Sequence, residues 1–244
     1  MNKFLIILAY YERPKIVLNA LNSLLDINYS EFEVHFIDDG SINKGEPIVR
    51  DVCSSIIDKF TFHYIDNSIE EKEEQGGSIH GKYLNLALQQ SDADHVIILC
   101  DDDAIYPNFL NDLNDFLNKE ENKNKNYFYH KILLYDSLKE DYTESIKRNE
   151  LNLRYNEHNY PINCRGVVDS SQVTYSRKAF VNDGLLYPHP QTEMLDFYIF
   201  QLMFEKWGVA YNTDLISQVK SYNENNLIER GGKNGKIYIT SDNI

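Results

Sequence analysis

The sequence has few cysteines, and those that it has lie far apart. Cys53, Cys100 and Cys164 form no C-x-x-C pair, so the sequence does not indicate a structural zinc site. Cys53 and Cys100 stand in apolar surroundings, which predicts that both thiols are buried. This use of cysteine is typical of a reducing compartment, and we therefore expect a cytoplasmic protein.

Basic residues are also scarce, because 24 lysines and arginines stand against 38 acidic residues and the net charge is −14. A protein that binds polyanions by releasing counterions shows a stripe of basic residues, and this sequence has none. Nucleic acid is therefore not an expected partner, and a membrane is expected at most as a peripheral contact. An acidic chain that binds a phosphorylated substrate needs a metal ion to offset the charge.

Long apolar runs are missing as well, and no stretch is long enough to span a bilayer. The opening run, Phe4–Ala9, is short and is followed by Tyr10–Pro14 instead of a small-residue cleavage site, so it predicts a β-strand and not a signal peptide. Apolar residues nonetheless make up 42% of the 244 residues, which is enough for a packed core. The length predicts one α/β domain, with room for an appended carboxyl-terminal region.

Strand-like and helix-like patterns alternate through the first half of the chain. The predicted strands are Phe4–Ala9, Phe32–Ile37, Thr61–Ile65 and Val96–Cys100. The helical patterns cover residues 14–25, Ile48–Phe60, a segment from Ser78 or His80 to Gln90, and Pro107–Leu117. This alternation predicts an α/β fold with a doubly wound, mostly parallel central sheet flanked by helices.

The second half of the chain is less regular. Phe128–Tyr135 and Gly166–Tyr175 are predicted strands, and Thr192–Trp207 has the apolar spacing of an amphipathic helix, with Gly208 as its stop. Residues 223–244 are rich in glycine and predict a mobile loop or tail. We therefore divide the chain at residues 120 and 222.

Three carboxylates follow the fourth predicted strand directly. Asp101, Asp102 and Asp103 have no cation among them in the sequence, so they repel one another unless solvent or a divalent cation relieves them. A hard cation with oxygen ligands, Mg²⁺ or Mn²⁺, would do so and would also hold a diphosphate. A hydrated acidic turn is the alternative interpretation. In an open parallel sheet, ligands bind outside the carboxyl ends of the strands, where this triplet lies.

Four short motifs occur at these strand and helix ends in a characteristic order. They are Tyr11–Pro14, Ile37–Ser41, Gly81-Lys82 with Asn85, and Leu99–Asp103. Their order and separation resemble those of the GT-A glycosyltransferases, and of family 2 in particular. The resemblance covers residues 1–120 well, and it extends loosely to Val168–Val173 and to Asp196-Phe197.

The resemblance implies an inverting enzyme that moves a sugar from a nucleotide-sugar to a hydroxyl acceptor such as a saccharide. By the same resemblance, the expected donor is a UDP-sugar. The resemblance also implies Mn²⁺ or Mg²⁺ as cofactor. Residues 1–120 would form the donor half of the domain. Residues 121–222 would form the acceptor-binding and catalytic half, with a smaller mixed sheet.

By the same resemblance, a first group of residues would hold the nucleotide. Ala9 and Tyr11 would line its pocket. Asp39 or Asp38 would accept hydrogen bonds from the nucleotide base, and Asp39 is favoured because the first carboxylate of such a pair more often supports the turn. The alternative is an Asp-Gly turn with Ser41 as its cap. Arg13 would also line the pocket, with a surface residue at a helix start as its alternative. Lys82 would reach the ribose or diphosphate, and the alternative is a solvated lysine.

The D-x-D element supplies the expected metal ligands. By resemblance, Asp103 would bind the cation, and Asp101 would bind the ribose or the metal through water. Asp102 would add to the nucleotide site. Many relatives supply a later histidine to the metal, but none follows His189 here, so the third ligand stays open.

An acidic residue near the start of a carboxyl-terminal helix would be the general base. Asp196 matches the acidic-aromatic pattern of the family, and Glu193 is the alternative one turn earlier. Acidic residues also favour a first helical turn through the helix dipole alone.

Two other classes of protein compete with this interpretation. A nucleotidyltransferase needs a glycine-rich, basic phosphate loop after the first strand, and Tyr10–Arg13 is not one. A non-catalytic nucleotide- or sugar-binding module would keep the fold but would not depend on Asp101 and Asp103. A dinucleotide dehydrogenase is disfavoured because no G-x-G-x-x-G follows the first strand.

Overall fold

The computed structural model describes residues 1–65, 80–135, 152–154, 161–165, 168–188 and 195–221. Within these residues the strands are β1 (Phe4–Tyr10), β2 (Phe32–Asp38), β3 (Phe60–Tyr64), β4 (His95–Cys100), β5 (Asp103–Ile105), β6 (Tyr127–Tyr135), β7 (Asn152–Arg154), β8 (Val173–Ser176) and β9 (Tyr211–Ser221). They form one sheet in the order β3-β2-β1-β4-β8-β6-β9-β5, and β7 pairs with β6. The expected α/β class is therefore confirmed.

The first four strands in the chain are parallel to one another. In their register Ala9 lies opposite Ile37 of β2 and Cys100 of β4, and Tyr10 lies opposite Asp38. The carboxyl ends of β1, β2 and β4 are thus level, and the loops that follow them meet at one edge. The remaining strands make the mixed part of the sheet, because β8 is antiparallel to β4 and β6, and β9 is parallel to β6.

The helices cover both faces of the sheet. They are α1 (Val17–Leu25), α2 (Gly45–Val52), α3 (His80–Gln90), α4 (Phe109–Leu117), α5 (Arg177–Asn182) and α6 (Leu195–Trp207). Alternate side chains of β1 point to opposite faces, as the pleat requires. Leu5 and Ile7 join the core under α3, α5 and α6. Phe4, Ile6 and Leu8 join the core under α1, α2 and α4.

The predicted helix Ile48–Phe60 is wrong in its bounds. Helix α2 ends at Val52, and a 3-10 segment, Ser54–Lys59, follows it with a non-helical φ of −129° at Ile56. The helix ends where Cys53 is buried against α1, with its Sγ 3.7 Å from the carbonyl oxygen of Leu21. The 3-10 segment then leads directly into β3, which begins at Phe60.

The predicted strand Gly166–Tyr175 is too long. Only Val173–Ser176 is a strand, because Asp169 caps a 3-10 turn over Ser170–Gln172. The Asp169 carboxylate accepts a hydrogen bond from the Ser171 N–H at 3.0 Å, and the Asp169 N–H donates to the Gln172 side chain at 3.1 Å. Residues 166 and 167 lie outside the described residues.

Three strands, β5, β7 and β9, carry no clear sequence signal and were not predicted. Strand β9 contains the buried polar residues Thr213, Ser217 and Gln218, so its sequence does not alternate as a half-buried strand should. Their polar atoms are used inside the fold, since the Thr213 hydroxyl lies 2.7 Å from Nδ1 of the buried His130. Two predicted segments lie outside the described residues. They are the first residues of the predicted helix, 192–194, and the predicted tail, 223–244.

Candidate active site

The turn after β2 is held by its first aspartate. Both carboxylate oxygens of Asp38 accept backbone hydrogen bonds, from the Ser41 N–H at 2.9 Å and from the Gly45 N–H at 2.8 Å. Gly40 follows at φ 73°, where a side chain would be strained, and this φ allows the tight turn. Asp38 thus supports the turn, as the sequence indicated.

Asp39 faces the loop that follows β1. Its N–H donates to the carbonyl oxygen of Tyr10 at 2.9 Å, and the residue is 4% exposed. Burial and the negative charges of Glu12 and Asp39 raise the pKa of the Tyr11 hydroxyl, so these three side chains share one region. Tyr11 and Asp39 are two of the predicted nucleotide ligands, and the fold brings them together.

Glu12 joins the loops after β1 and β2. Its backbone takes a φ of 51°, which is uncommon for a residue with a side chain. Its N–H donates to the Ser41 hydroxyl at 3.1 Å, and its carboxylate accepts from the Ile42 N–H and from the Asn43 side chain. The first two loops of the site are therefore tied to each other.

Arg13 supplies the cation that the aspartate triplet lacks in the sequence. Its Nη1 lies 2.9 Å from Asp101 Oδ1 and 3.3 Å from Asp102 Oδ2. The Arg13 side chain is only 10% exposed, so the alternative of a surface residue at a helix start is wrong. Burial alone would lower the pKa of Arg13, but the charges of Asp101 and Asp102 outweigh it and raise that pKa.

The Asp101 carboxylate forms hydrogen bonds with other residues of the protein. It accepts from Arg13 and from the backbone of Tyr11, and both interactions favour the charged form. Burial outweighs them and, together with the neighbouring charge of Asp102, raises the pKa of Asp101. The carboxylate therefore links β4 to the loop after β1.

A second group of ligand atoms surrounds the same corner. Cys100, Asp102 and Asp103 each offer one ligand atom, and these atoms lie within 4.8 Å of one another. Two carboxylates suit Mn²⁺ or Mg²⁺, and a softer sulfur favours Mn²⁺ over Mg²⁺. The donor set thus fits the expected cation. The sequence paired Asp103 with Asp101, and that pairing stays a prediction, whereas the structure groups Asp103 with Asp102.

Cys100 differs from the prediction that its thiol is buried, because its side chain is only half-buried at this corner. Cys53 is buried as expected, and so is Cys164. Cys100 ends β4 one position before the aspartates, so its side chain lies among polar groups at the carboxyl end of the strand and not in the apolar core.

The segment after the aspartates is fixed by residues that the sequence did not single out. Strand β5 begins at Asp103 and pairs with β9, and the Ile105 N–H donates to the Ser23 hydroxyl of α1 at 3.0 Å. Gln218 of β9 is fully buried, and its Nε2 donates to the Ile98 carbonyl of β4 at 2.6 Å. A serine on the apolar face of α1 is the one local sign of this arrangement.

The motif at the start of α3 mainly packs the fold. A Cβ on Gly81 would lie 2.1 Å from the Pro188 carbonyl oxygen, so a side chain does not fit there. Asn85 makes two hydrogen bonds to the backbone of Tyr187. Lys82 is exposed, with its Nζ 5.7 Å from the centre of the Tyr83 ring, which matches the solvated alternative. Its role toward a nucleotide stays a prediction.

Asp196 lies in the first turn of α6 and is half-buried. Its charge contributes to the raised pKa of Tyr187, after burial, so the two side chains are near each other. Glu193, the alternative base, and His189 lie outside the described residues. Of the two candidate bases, only Asp196 lies within the described residues.

The level parallel strands, the aspartate corner and the mixed outer strands define a GT-A fold. The same fold is found in TarS of S. aureus in complex with UDP-GlcNAc (TM-score 0.69, 15% identity, covering 96% of this chain and 68% of that chain). It is also found in the mannosyltransferase PcManGT of Pyrobaculum calidifontis in complex with GDP-Man and Mn²⁺ (TM-score 0.65, 13% identity, covering 94% and 61%).

The chain belongs to glycosyl transferase family 2, whose sequence model matches residues 5–180. An uncharacterized glycosyltransferase of Rickettsia conorii is 31% identical over 118 residues, which are 48% of this chain and 18% of that protein. The chain thus spans less than a fifth of the length of this relative. Among the described residues, no helix combines the length and the apolar character that crossing a membrane requires.

Proposed function

We propose that this chain transfers a sugar from a nucleotide-sugar to a hydroxyl acceptor with inversion at the anomeric carbon. The observation that carries this proposal is the corner formed by Arg13, Asp102 and Asp103 at the level ends of β1 and β4, in a chain of this family. Two proteins of the same fold bind nucleotide-sugars, UDP-GlcNAc in one case and GDP-Man in the other. Both donors carry a diphosphate, which needs positive charge at its site.

The donor would lie along the loops after β1 and β2. We assign Asp39 to binding of the nucleotide base, because both carboxylate oxygens of Asp38 already accept hydrogen bonds in the turn. Ala9 and Tyr11 would line the nucleotide pocket beside it, and Lys82 would approach the ribose or diphosphate from α3. A UDP-sugar is the proposed donor, on the resemblance that the motifs carry.

A divalent cation, Mn²⁺ or Mg²⁺, would be held by Asp103 with Asp102 and Cys100, and Asp101 would act on the ribose or through water. Such a cation neutralises the charge that develops on the diphosphate as it leaves. The chain's own contribution is to fix the carboxylates, through Arg13 on Asp101 and through the pairing of β5 with β9.

Asp196 would be the general base, with Glu193 as the alternative. It would take the proton of the acceptor hydroxyl while that oxygen bonds to the anomeric carbon. The bond from this carbon to the diphosphate oxygen breaks on the opposite side, which inverts the configuration. Residues 1–120 would then serve the donor and residues 121–222 the acceptor. The cysteine usage supports a reducing compartment such as the cytoplasm.

A thermal-shift screen with UDP-, GDP-, CMP- and dTDP-sugars, each with and without Mn²⁺, tests the donor assignment. We expect one nucleotide class to raise the melting temperature in the presence of Mn²⁺ and much less without it. Asp103→Asn should abolish the Mn²⁺-dependent part of the shift. Asp115→Asn, an exposed carboxylate change on α4, is the matched control and should leave it unchanged.

Transfer itself is measured as release of the nucleoside diphosphate with a panel of hydroxyl acceptors. No shift with any donor would count against the proposal. A shift without any turnover by the wild type would favour a non-catalytic binding module.

A further inference from the structure

Arg13 and the candidate cation site share one carboxylate. Arg13 Nη1 lies 3.3 Å from Asp102 Oδ2, and Asp102 also belongs to the group with Cys100 and Asp103 whose ligand atoms lie within 4.8 Å of one another. A cation bound to that group therefore lies close to the guanidinium charge. The same arginine is 2.9 Å from Asp101, which ties it to the corner through a second ion pair.

Contacts of its side chain and of its backbone hold Arg13 in this position. Its side chain is 10% exposed, and its carbonyl oxygen accepts hydrogen bonds from the Ile16 and Val17 N–H groups as the chain turns into α1. The preceding residue, Glu12, is hydrogen-bonded to the loop after β2. The guanidinium is thus a fixed positive charge beside the cluster, and burial keeps solvent from screening it fully.

A fixed guanidinium acts on a divalent cation in two ways. It repels the cation, and it competes for the Asp102 carboxylate. A diphosphate reverses this balance, because its negative charges are attracted by the cation and by the guanidinium together. Binding of the nucleotide then makes binding of the cation more favourable, and the reverse holds by the same factor.

We propose that Arg13 is a built-in counterion that makes binding of the divalent cation depend on the nucleoside diphosphate. This inference rests on the proposed function and concerns the order and coupling of binding at that site. In the free protein, Arg13 offsets part of the negative charge of Asp101 and Asp102 and keeps the affinity for the cation low. With the diphosphate present, cation and arginine both face its phosphate oxygens, and the cation binds tightly.

Equilibrium binding of Mn²⁺ alone, followed by the electron paramagnetic resonance signal of free Mn²⁺, tests the first part. We expect Arg13→Gln to increase the affinity for Mn²⁺ roughly tenfold, because a neighbouring positive charge is removed. Arg13→Lys keeps the charge and should stay close to the wild type. Arg50→Gln removes an arginine that pairs with Glu46 on the exposed surface of α2, and it should change nothing.

Calorimetric titration with UDP, without Mn²⁺ and at saturating Mn²⁺, tests the second part. We expect Mn²⁺ to increase the affinity of the wild type for UDP by a factor of about ten or more, and this factor should shrink in Arg13→Gln. Because UDP itself binds Mn²⁺ in solution, the titration is compared with one of UDP by Mn²⁺ in the absence of protein. Thermal unfolding establishes that each variant is folded, and Arg13→Met is the second uncharged variant.

The outcomes separate the two proposals. Coupled binding of UDP and Mn²⁺ by the wild type, with an unchanged or weaker affinity for Mn²⁺ alone in Arg13→Gln and Arg13→Met, would overturn the role of Arg13 and leave the proposed function standing. Should neither uncharged variant fold, equal affinity of the wild type for Mn²⁺ with and without UDP would overturn it as well. Absence of binding of every nucleotide of the donor screen to the wild type, with and without Mn²⁺, would remove both proposals.

Discussion

The side chain of Asn85 holds the backbone of Tyr187 through two hydrogen bonds, although 102 positions separate the two residues in the chain. Nδ2 donates to the Tyr187 carbonyl oxygen at 3.0 Å, and Oδ1 accepts from the Tyr187 N–H at 2.8 Å. The Tyr187 hydroxyl lies 2.9 Å from that of Tyr175 in β8. These hydrogen bonds join α3 to the segment that carries Tyr187, whose side chain lies near Asp196.

Replacing Asn85 by alanine removes both of these bonds and leaves two backbone groups of Tyr187 without their partner. We expect Asn85→Ala to lower the free energy of unfolding by about 1–3 kcal/mol, measured by urea denaturation. Gln89→Ala, at an exposed position of the same helix, should change it by less than about 0.5 kcal/mol. Equal effects of the two substitutions would show that the Tyr187 contact does not stabilise the fold.

Asp38 and Asp39 are adjacent, but removing the charge of one or the other should change different properties of the protein. Asp38→Asn weakens the two backbone hydrogen bonds of the turn, so we expect it to lower the melting temperature. Asp39→Asn should leave the melting temperature of the free protein nearly unchanged and should weaken binding of UDP about tenfold or more. Calorimetry measures the binding of UDP, and thermal unfolding measures the melting temperature. A reversed pattern would contradict the proposal that Asp39 binds the nucleotide base.

Asp196→Asn tests the proposed base without changing the size of the side chain. We expect turnover to fall by a factor of about 10²–10⁴, because proton removal from the acceptor is lost. The affinity for UDP should stay within about twofold of the wild type. Glu193→Gln is the matched variant for the alternative base. Loss of donor affinity in parallel with turnover would indicate that Asp196 binds the donor instead of acting as base.

Buried histidines make the stability of the fold depend on pH. Burial lowers the pKa of His35 and of His95 to about 4 and that of His130 to about 3, and the neighbouring His63 adds to the effect on His35. Each pKa is lower in the folded than in the unfolded protein, so the folded state binds fewer protons. The free energy of unfolding is therefore greatest above about pH 6.5 and falls as the pH drops from 6.5 toward 4.

Urea denaturation between pH 7.5 and pH 5 measures this dependence. His35→Gln removes one of the titrating groups and keeps a polar side chain beside His63, whose Nε2 lies 3.0 Å from Nδ1 of His35. The variant should show a shallower slope below about pH 6.5 than the wild type. An unchanged slope would mean that His35 does not titrate with folding in this range.

Several features of the fold follow from local sequence alone. The apolar runs at 4–9 and 96–100 predict buried parallel strands, because nothing in them allows one face to meet water. Parallel strands bring their carboxyl ends to one edge, and the sequence therefore predicts that Asp39 and the aspartate triplet lie in one region. The order of four short motifs was enough to indicate the family.

Other features depend on contacts between distant parts of the chain. Arg13 meets Asp101 across 88 positions, so the sequence showed a triplet without a cation and left Arg13 open to a surface role. Gly81 and Asn85 looked like members of a binding motif, and the structure shows them packed against residues 187–188. Strand β9 was missed because its polar side chains find their partners only in other strands.

The sequence by itself determined the class of fold, the edge at which the polar loops gather and the family of the chain. These depend on the apolar character and spacing of neighbouring residues, which act over a few positions. Only the tertiary structure decided which carboxylate faces Arg13, which ones group with Cys100 and where Asp196 lies. Those relations depend on side-chain packing and charge pairing across the sheet, which the linear pattern does not encode.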